Sequence, residues 1–172
     1  MFKSRLLALA TATVCMAAPV RADDLKVLGY IENAYIGNSA LMMSAKLDTG
    51  ADSSSVYAQD MRIEESDGGQ DWVHFRLTGD DGRTIRYKKK IVRFVLIKLK
   101  TGGTIERPVV SFDLCIGGIK SDAVVNLADR SEFDHPLLIG REFLAPKIAV
   151  SSAQTHMADD DCQPQPEKNT AS

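Results

Sequence analysis

An all-β domain with one short helix is the fold class this sequence predicts, and three observations carry it. Short runs of alternating apolar residues recur every 8 to 12 positions, glycine-bearing turns separate them, and only Arg141–Leu144 has helical character before Pro146 stops it.

The elements follow in order. Segment 25–36 alternates apolar and polar residues and makes one or two short strands, punctuated by Gly29 and Gly37-Asn38. Segment 41–47 is a further strand that runs straight into Asp48-Thr49-Gly50-Ala51. The serine-rich 52–55 follows, then a loop through Glu64-Glu65-Ser66-Asp67-Gly68-Gly69. Segments 72–77 and 84–87 flank Gly79-Asp80-Asp81-Gly82 as a hairpin. A second hairpin joins 91–99 to 105–110 across Thr101-Gly102-Gly103-Thr104. Strands are expected at 112–116 and 123–127, around Gly117-Gly118, and Leu137-Leu138-Ile139 is a short apolar strand ending at Gly140.

The two ends read differently from the middle. Lys3 and Arg5 precede an apolar stretch over 6–18, and Val20-Arg21-Ala22 offers small or apolar residues where a signal peptidase reads. This predicts a signal peptide over 1–22, too short for a stable membrane span, with an uncleaved anchor as the other reading. The protein is then periplasmic or secreted, with no stable membrane insertion after cleavage. The domain occupies 23–157, enough for one core, and the acidic, Pro/Gln-rich tail 158–172 is expected to be disordered. Without the leader, 18 basic residues face 23 acidic ones, so the net charge is −5 instead of −2. That acidity argues against nucleic acid or an anionic membrane as partner. Cys115 and Cys162 form a disulfide in an oxidising compartment, or else Cys115 is a small buried hydrophobe.

The chemistry concentrates at Leu47-Asp48-Thr49-Gly50-Ala51. An apolar strand delivers a carboxylate to a tight turn, a hydroxyl follows, and a glycine admits another backbone. Two such turns facing each other let two carboxyls share one proton, one acting as acid and the other activating a water. A given tripeptide arises by chance in a chain this long roughly 2% of the time, so Asp-Thr-Gly alone decides little. The second element is Leu137-Leu138-Ile139-Gly140-Arg141, whose glycine can pack beneath the turn, with the 91–110 hairpin between the two.

This order of parts resembles retropepsins, the viral aspartic proteases. It is more similar still to a bacterial family of retropepsin-like proteins often labelled ATP-dependent zinc proteases. The segments that carry the resemblance are Leu28-Gly29-Tyr30-Ile31-Glu32, Ala45 to Ala51, Glu106-Arg107-Pro108-Val109-Val110, Asn126-Leu127-Ala128-Asp129-Arg130-Ser131 and 136–144. The resemblance implies a closed acid-protease barrel and an aspartic endopeptidase acting on peptide or protein substrates as a homodimer. Asp48 would be catalytic, and Thr49 would lock the two subunits' active-site loops together. Gly50 would line the floor of the cleft, Ala51 would complete the turn, Ile139 and Gly140 would support it, and Asp52 and Arg141 would form a bracing ion pair. Thr101, Gly102, Gly103 and Thr104 would form the tip of a flap. Segment 57–90 has no counterpart in the minimal viral enzyme, and Ser151-Ser152 stands where the family usually carries an aspartate.

Neither half of the family's label fits the residues. His74, His135 and His156 stand singly, with no His-Glu-x-x-His cluster, and no phosphate-binding Gly-x-x-x-x-Gly-Lys-Ser/Thr loop is present. No metal or cofactor is therefore expected. Lys88-Lys89-Lys90 reads as a solubilising charge run and Asp159-Asp160-Asp161 as a solvated tail. Ser53-Ser54-Ser55 lacks the glycine-flanked elbow of a serine hydrolase. Two further readings stand beside the protease: a catalytically inactive retropepsin-fold module that binds peptides or regulates, and activity on a glutamate-rich tail, given the family's association with peptide ligases. The basic side chains over 83–107 would suit such a ligand if some face the cleft, although alternation turns many of them outward.

Overall fold

The computed structural model describes residues 25–38, 41–99, 102–145, 147–159 and 162. The expected leader, Thr101 at the hairpin tip and the remaining tail residues lie outside them. The described residues form twelve strands and one four-residue helix. They are β1 (Lys26–Gly29), β2 (Ile31–Ile36), β3 (Leu41–Leu47), β4 (Ser54–Tyr57), β5 (Gln59–Glu64) and β6 (Trp72–Thr78). There follow β7 (Thr84–Lys90), β8 (Arg93–Lys98), β9 (Thr104–Ile116), β10 (Ile119–Ala128), β11 (Leu137–Ile139), α1 (Arg141–Leu144) and β12 (Ile148–Ser151).

Alternation decides which faces are buried. In β3, Leu41, Met43, Ala45 and Leu47 are buried while Lys46 points to solvent; in β6, Val73, Phe75 and Leu77 go inward. Seven strands form one sheet in the order β10-β4-β11-β3-β2-β9-β8, and β9 also pairs with β10. β5, β6 and β7 form a second sheet, and β1 pairs in parallel with β12 in a third. One core joins the first two sheets. Phe75, Tyr87 and Phe112 pack as an aromatic trio with centroids 5.3 to 6.1 Å apart, in stacked and edge-on arrangements.

Four expectations change. The serine-rich stretch after Asp52 contains β4, and β5 occupies part of what reads as loop before Glu64. Segments 105–110 and 112–116 are one continuous strand, β9. The tail is anchored at two described points, which corrects the expectation of disorder from 158 for those residues. Ala158 donates its N–H to Glu32, and Cys162 is buried in a disulfide with Cys115.

Glu32 explains how the tail is held. Its carboxylate is 1% exposed and accepts N–H groups from Gly29 (2.6 Å), Met157 (2.9 Å) and Ala158 (3.1 Å). A buried carboxylate without such donors would be strongly unfavourable. The segment leading into the tail crosses Gly29 so closely that a Cβ there would meet Gln154 O at 2.6 Å.

Candidate active site

Asp48 leaves the end of β3 half-buried, with Thr49 and Gly50 exposed beside it. β3 lies parallel to β11 in the register Ile139↔Leu47, so the sheet itself fixes where the turn begins. Asp48 N–H donates to Ile139 O at 2.9 Å, and Ala51 N–H closes the turn on Asp48 O at 3.2 Å. Gly50 N–H donates to Asp48 Oδ1 at 2.9 Å, which orients the carboxylate from within its own tripeptide. The Thr49 hydroxyl forms no hydrogen bond within the described residues.

Gly140 seats the turn from below. A Cβ on it would lie 2.6 Å from both Ser53 C and Ser53 O and 2.7 Å from Asp52 O, so no side chain fits without moving backbone. The backbones interlock there. Gly140 N–H donates to Ser54 Oγ (3.1 Å), Arg141 N–H to Ala51 O (2.9 Å) and Glu142 N–H to Asp52 O (3.0 Å). Arg141 Nη2 pairs with Asp52 Oδ1, and Nη1 donates to Thr49 O at 3.1 Å. The expected brace thus bonds the turn's own backbone as well as the Asp52 carboxylate.

The 91–110 hairpin turns where expected. Leu99 N–H donates to Gly103 O and Gly102 N–H to Leu99 O, both at 3.1 Å. Gly102 and Gly103 take φ of +92° and +85°, a region that side-chain-bearing residues rarely adopt. Thr104 opens β9 beyond them.

Several residues join the site that no motif singled out individually. Ser54 is buried and serves Gly140, and Asn126 Nδ2 donates to Ser54 O at 2.7 Å. Arg130 is 7% exposed; Nε and Nη2 donate to His135 O at 3.3 and 3.2 Å, and its guanidinium lies 4.5 Å from the Phe133 ring centre. Burial, then the charge of Arg107, pushes the Arg130 guanidinium below its ordinary value, while the Asp48 carboxylate opposes that shift. Burial likewise lowers Arg107, opposed by Asp129. Two partly desolvated cations therefore stand near each other, and one of them feels Asp48. Asn126 and Arg130 do fall in a segment that carries the family resemblance, but a lone Arg or Asn gives no sign of burial. His135 is held by Ser44, its Nδ1 lying 2.9 Å from Ser44 Oγ. Among the described residues no group of three or more His, Cys, Asp or Glu could hold a metal ion.

Comparison with known proteins places this geometry. A model of the family described as "Retropepsin-like aspartic endopeptidase RimB" matches residues 27–161. A crystal structure of Lpg0085 from Legionella pneumophila, a protein of unknown function (DUF785), is similar with a TM-score of 0.65 and 32% identity, over 77% of this chain and 98% of that one. Curated relatives from Shewanella pealeana and Shewanella halifaxensis, each named a probable alpha-L-glutamate ligase, are 28% identical over 116 residues. A third with that name, from Desulfotalea psychrophila, is 25% identical over 114 residues. These matches take in 64 to 66% of this chain but only about a quarter of each relative's length. The chain belongs to the RimB-like family of retropepsin-like aspartic endopeptidases.

Proposed function

We propose that the protein is an exported, periplasmic or secreted aspartic endopeptidase whose active site is completed by a second copy of the chain. The observation that carries this reading is the seating of the Asp48 turn on Gly140, where backbone atoms leave no room for a Cβ. That arrangement holds a strand-end carboxylate in a fixed direction at low reorganisation cost, which is what acid–base chemistry needs. The cycle of pairings from β10 through β4, β11, β3, β2 and β9 back to β10 is what a closed acid-protease barrel requires.

One chain supplies one Asp-Thr-Gly. A two-fold axis beside Asp48 brings in the second, and the exposed Thr49 hydroxyl is free to bond across the axis. With one proton shared, the ionised Asp48 takes a proton from water as the oxygen attacks the peptide carbonyl. The other Asp48 donates to the developing oxyanion, and the leaving amine is protonated as the C–N bond breaks. The β8–β9 hairpin acts as the flap.

Arg107 and Arg130 favour a carboxylate-rich substrate within this reading, because each is partly desolvated and neither forms an ion pair within 4 Å among the described residues. The relatives named as glutamate ligases fit that chemistry.

Asp48→Asn tests the core of the reading. Hydrolysis of an acidic peptide should fall by at least about a thousandfold with folding unchanged, and sedimentation should find a dimer at active concentrations. A statine-type transition-state mimic should bind far better than the matching substrate. Intact hydrolysis in Asp48→Asn, or a strict monomer at every active concentration, overturns the proposal. Peptide binding without preference for the mimic and without turnover identifies the non-catalytic binding module instead.

A further inference from the structure

The sheet β5–β6–β7 takes no part in the site above, and its outer face gathers basic residues. With Val73, Phe75 and Leu77 buried, alternation turns Trp72, His74 and Arg76 outward. Register then aligns Glu64, Trp72 and Lys90 in one row, Arg62, His74 and Lys88 in the next, and Arg76 with Arg86 in a third. Five cations (Arg62, Arg76, Arg86, Lys88, Lys90) share this face with two carboxylates, Glu64 and Asp60, a local excess of three in a chain whose total is −2.

The two carboxylates do not neutralise the face. Glu64 is divided between His74 Nε2 (2.6 Å) and Lys88 Nζ (3.0 Å), and Asp60 Oδ2 lies 2.6 Å from Arg76 Nε. Arg62, Arg86 and Lys90 have no carboxylate within 4 Å among the described residues. Trp72 has two ammonium groups near its ring, Lys88 Nζ at 5.3 Å and Lys90 Nζ at 5.5 Å from the centre. The three-lysine run is not uniform either. Lys89 turns the other way, donating to Ser111 O at 2.9 Å and lying 4.4 Å from the Phe112 ring centre.

We infer that this outer face docks the protein onto an anionic membrane surface. Three strands of about seven residues present a patch about 10 Å by 20 Å with its cations spread in rows. An extended acidic polypeptide would lie along one row, whereas a plane of anionic headgroups engages all of them together. A tryptophan flanked by lysine stems is the chemistry of a water–lipid boundary: the ring and methylenes take the apolar side while ammonium groups reach phosphate. Net acidity does not prevent this, because screening confines the interaction to charges within about 10 Å of the surface. This docking is independent of whether Asp48 is catalytic.

Trp72 is the chain's single tryptophan, so it reports directly on its own face. The purified protein is titrated with vesicles of phosphatidylglycerol mixed into phosphatidylcholine, and with pure phosphatidylcholine, while Trp72 emission and co-sedimentation are followed. The expected result is a blue shift and sedimentation with the anionic vesicles alone, reversed by high salt. Arg86→Gln with Lys90→Gln should weaken the apparent partition about thirtyfold, whereas Lys120→Gln with Lys147→Gln, remote in sequence and the same in charge, should leave it within about twofold. Circular dichroism checks that each double variant is folded; if the first is not, Arg62→Gln with Arg86→Gln replaces it. Equal binding to neutral vesicles, no binding at low salt, or equal losses in both double variants overturns the inference. A Trp72 response to poly-glutamate with none to anionic vesicles also overturns it and assigns the face to an acidic polypeptide.

Discussion

Substituting Gly140 by alanine separates a seat from an ordinary turn. The added methyl would start 2.6 Å from Ser53 C and O and 2.7 Å from Asp52 O, where ordinary contact begins at 3.4 Å. It must gain about 0.8 Å against backbone that has no rotamer to change. Overpacking of this kind costs about 1–3 kcal/mol. The same movement stretches three hydrogen bonds that cross the contact, Gly140 to Ser54, Arg141 to Ala51 and Glu142 to Asp52, and weakening them adds about 1 kcal/mol. A loss of about 3 kcal/mol at an m-value near 2 kcal/mol/M lowers the urea midpoint by about 1.5 M. Two other glycines act as internal standards. Gly102→Ala meets nothing within 4 Å and suffers only from its φ of +92°, so about 1 kcal/mol is expected. Gly50→Ala meets only the movable Asp48 Oδ1 at 3.1 Å, so it should spare stability while displacing the carboxylate and lowering turnover. Equilibrium urea unfolding of the three variants tests the ranking. A Gly140→Ala midpoint within about 0.3 M of the parent, at unchanged m, would refute the claim that backbone contact at Gly140 sets the turn.

Glu32→Gln keeps the shape but turns an amide N–H₂ toward a donor, since all three Glu32 partners are N–H groups; thermal unfolding should show a loss of about 2–3 kcal/mol, with amide exchange speeding first at Met157 and Ala158. Replacing Cys115 and Cys162 by serine opens a link across 47 positions, for which chain entropy gives a loss of about 4 kcal/mol, checked by melting with and without reductant. Acid should leave these surface carboxylates charged unusually far down: Ser131 N–H holds the Asp129 carboxyl below its ordinary value, Arg83 does the same for Asp81, and His74 then Lys88 hold Glu64 below its own. Because these folded-state values are depressed, their support is complete above the ordinary values and vanishes as pH falls through the lowered ones. Carboxyl NMR titration should place the Asp129 midpoint below that of an ordinary aspartate and show no loss from this source between pH 7 and pH 5.

What the sequence reveals of this fold depends on whether partners are local. β3, β6 and β7 are legible because period-2 burial is written in neighbouring residues. β4 is not, because its buried Ser54 and Ser55 look like loop residues, and Ser54 is inside for the sake of Gly140, 86 positions away. β5 hides behind a register shift between Gln59 and Arg62 and a φ of +52° at Asp60, which break its alternation. The tail looks disordered by composition, yet Glu32 and Cys115 hold it from more than 40 positions upstream. Within the site, Gly140 follows from motif order and the Asp52–Arg141 pair from the family resemblance, whereas the burial of Arg130 depends on Phe133 and His135 folding over it.

The position of the bracing bonds bears on how two halves would combine. Among the described residues, contacts within the chain hold the Asp48 turn: Ile139 O, Gly50 N–H, the Gly140 seat and the Arg141 fork on Thr49 and Asp52. The entropy of ordering the carboxylate is therefore spent when the monomer folds, and association does not have to supply it again. Thr49 is the exception, exposed with its hydroxyl unbonded within the described residues. A preformed turn with one unsatisfied hydroxyl is suited to weak, reversible pairing that still yields a rigid dyad. Under the proposed dyad shared by two copies, the rate at low protein concentration would rise with the square of concentration while the dyad's acid–base behaviour stays constant, since dilution would remove dimers without altering the geometry of those that remain.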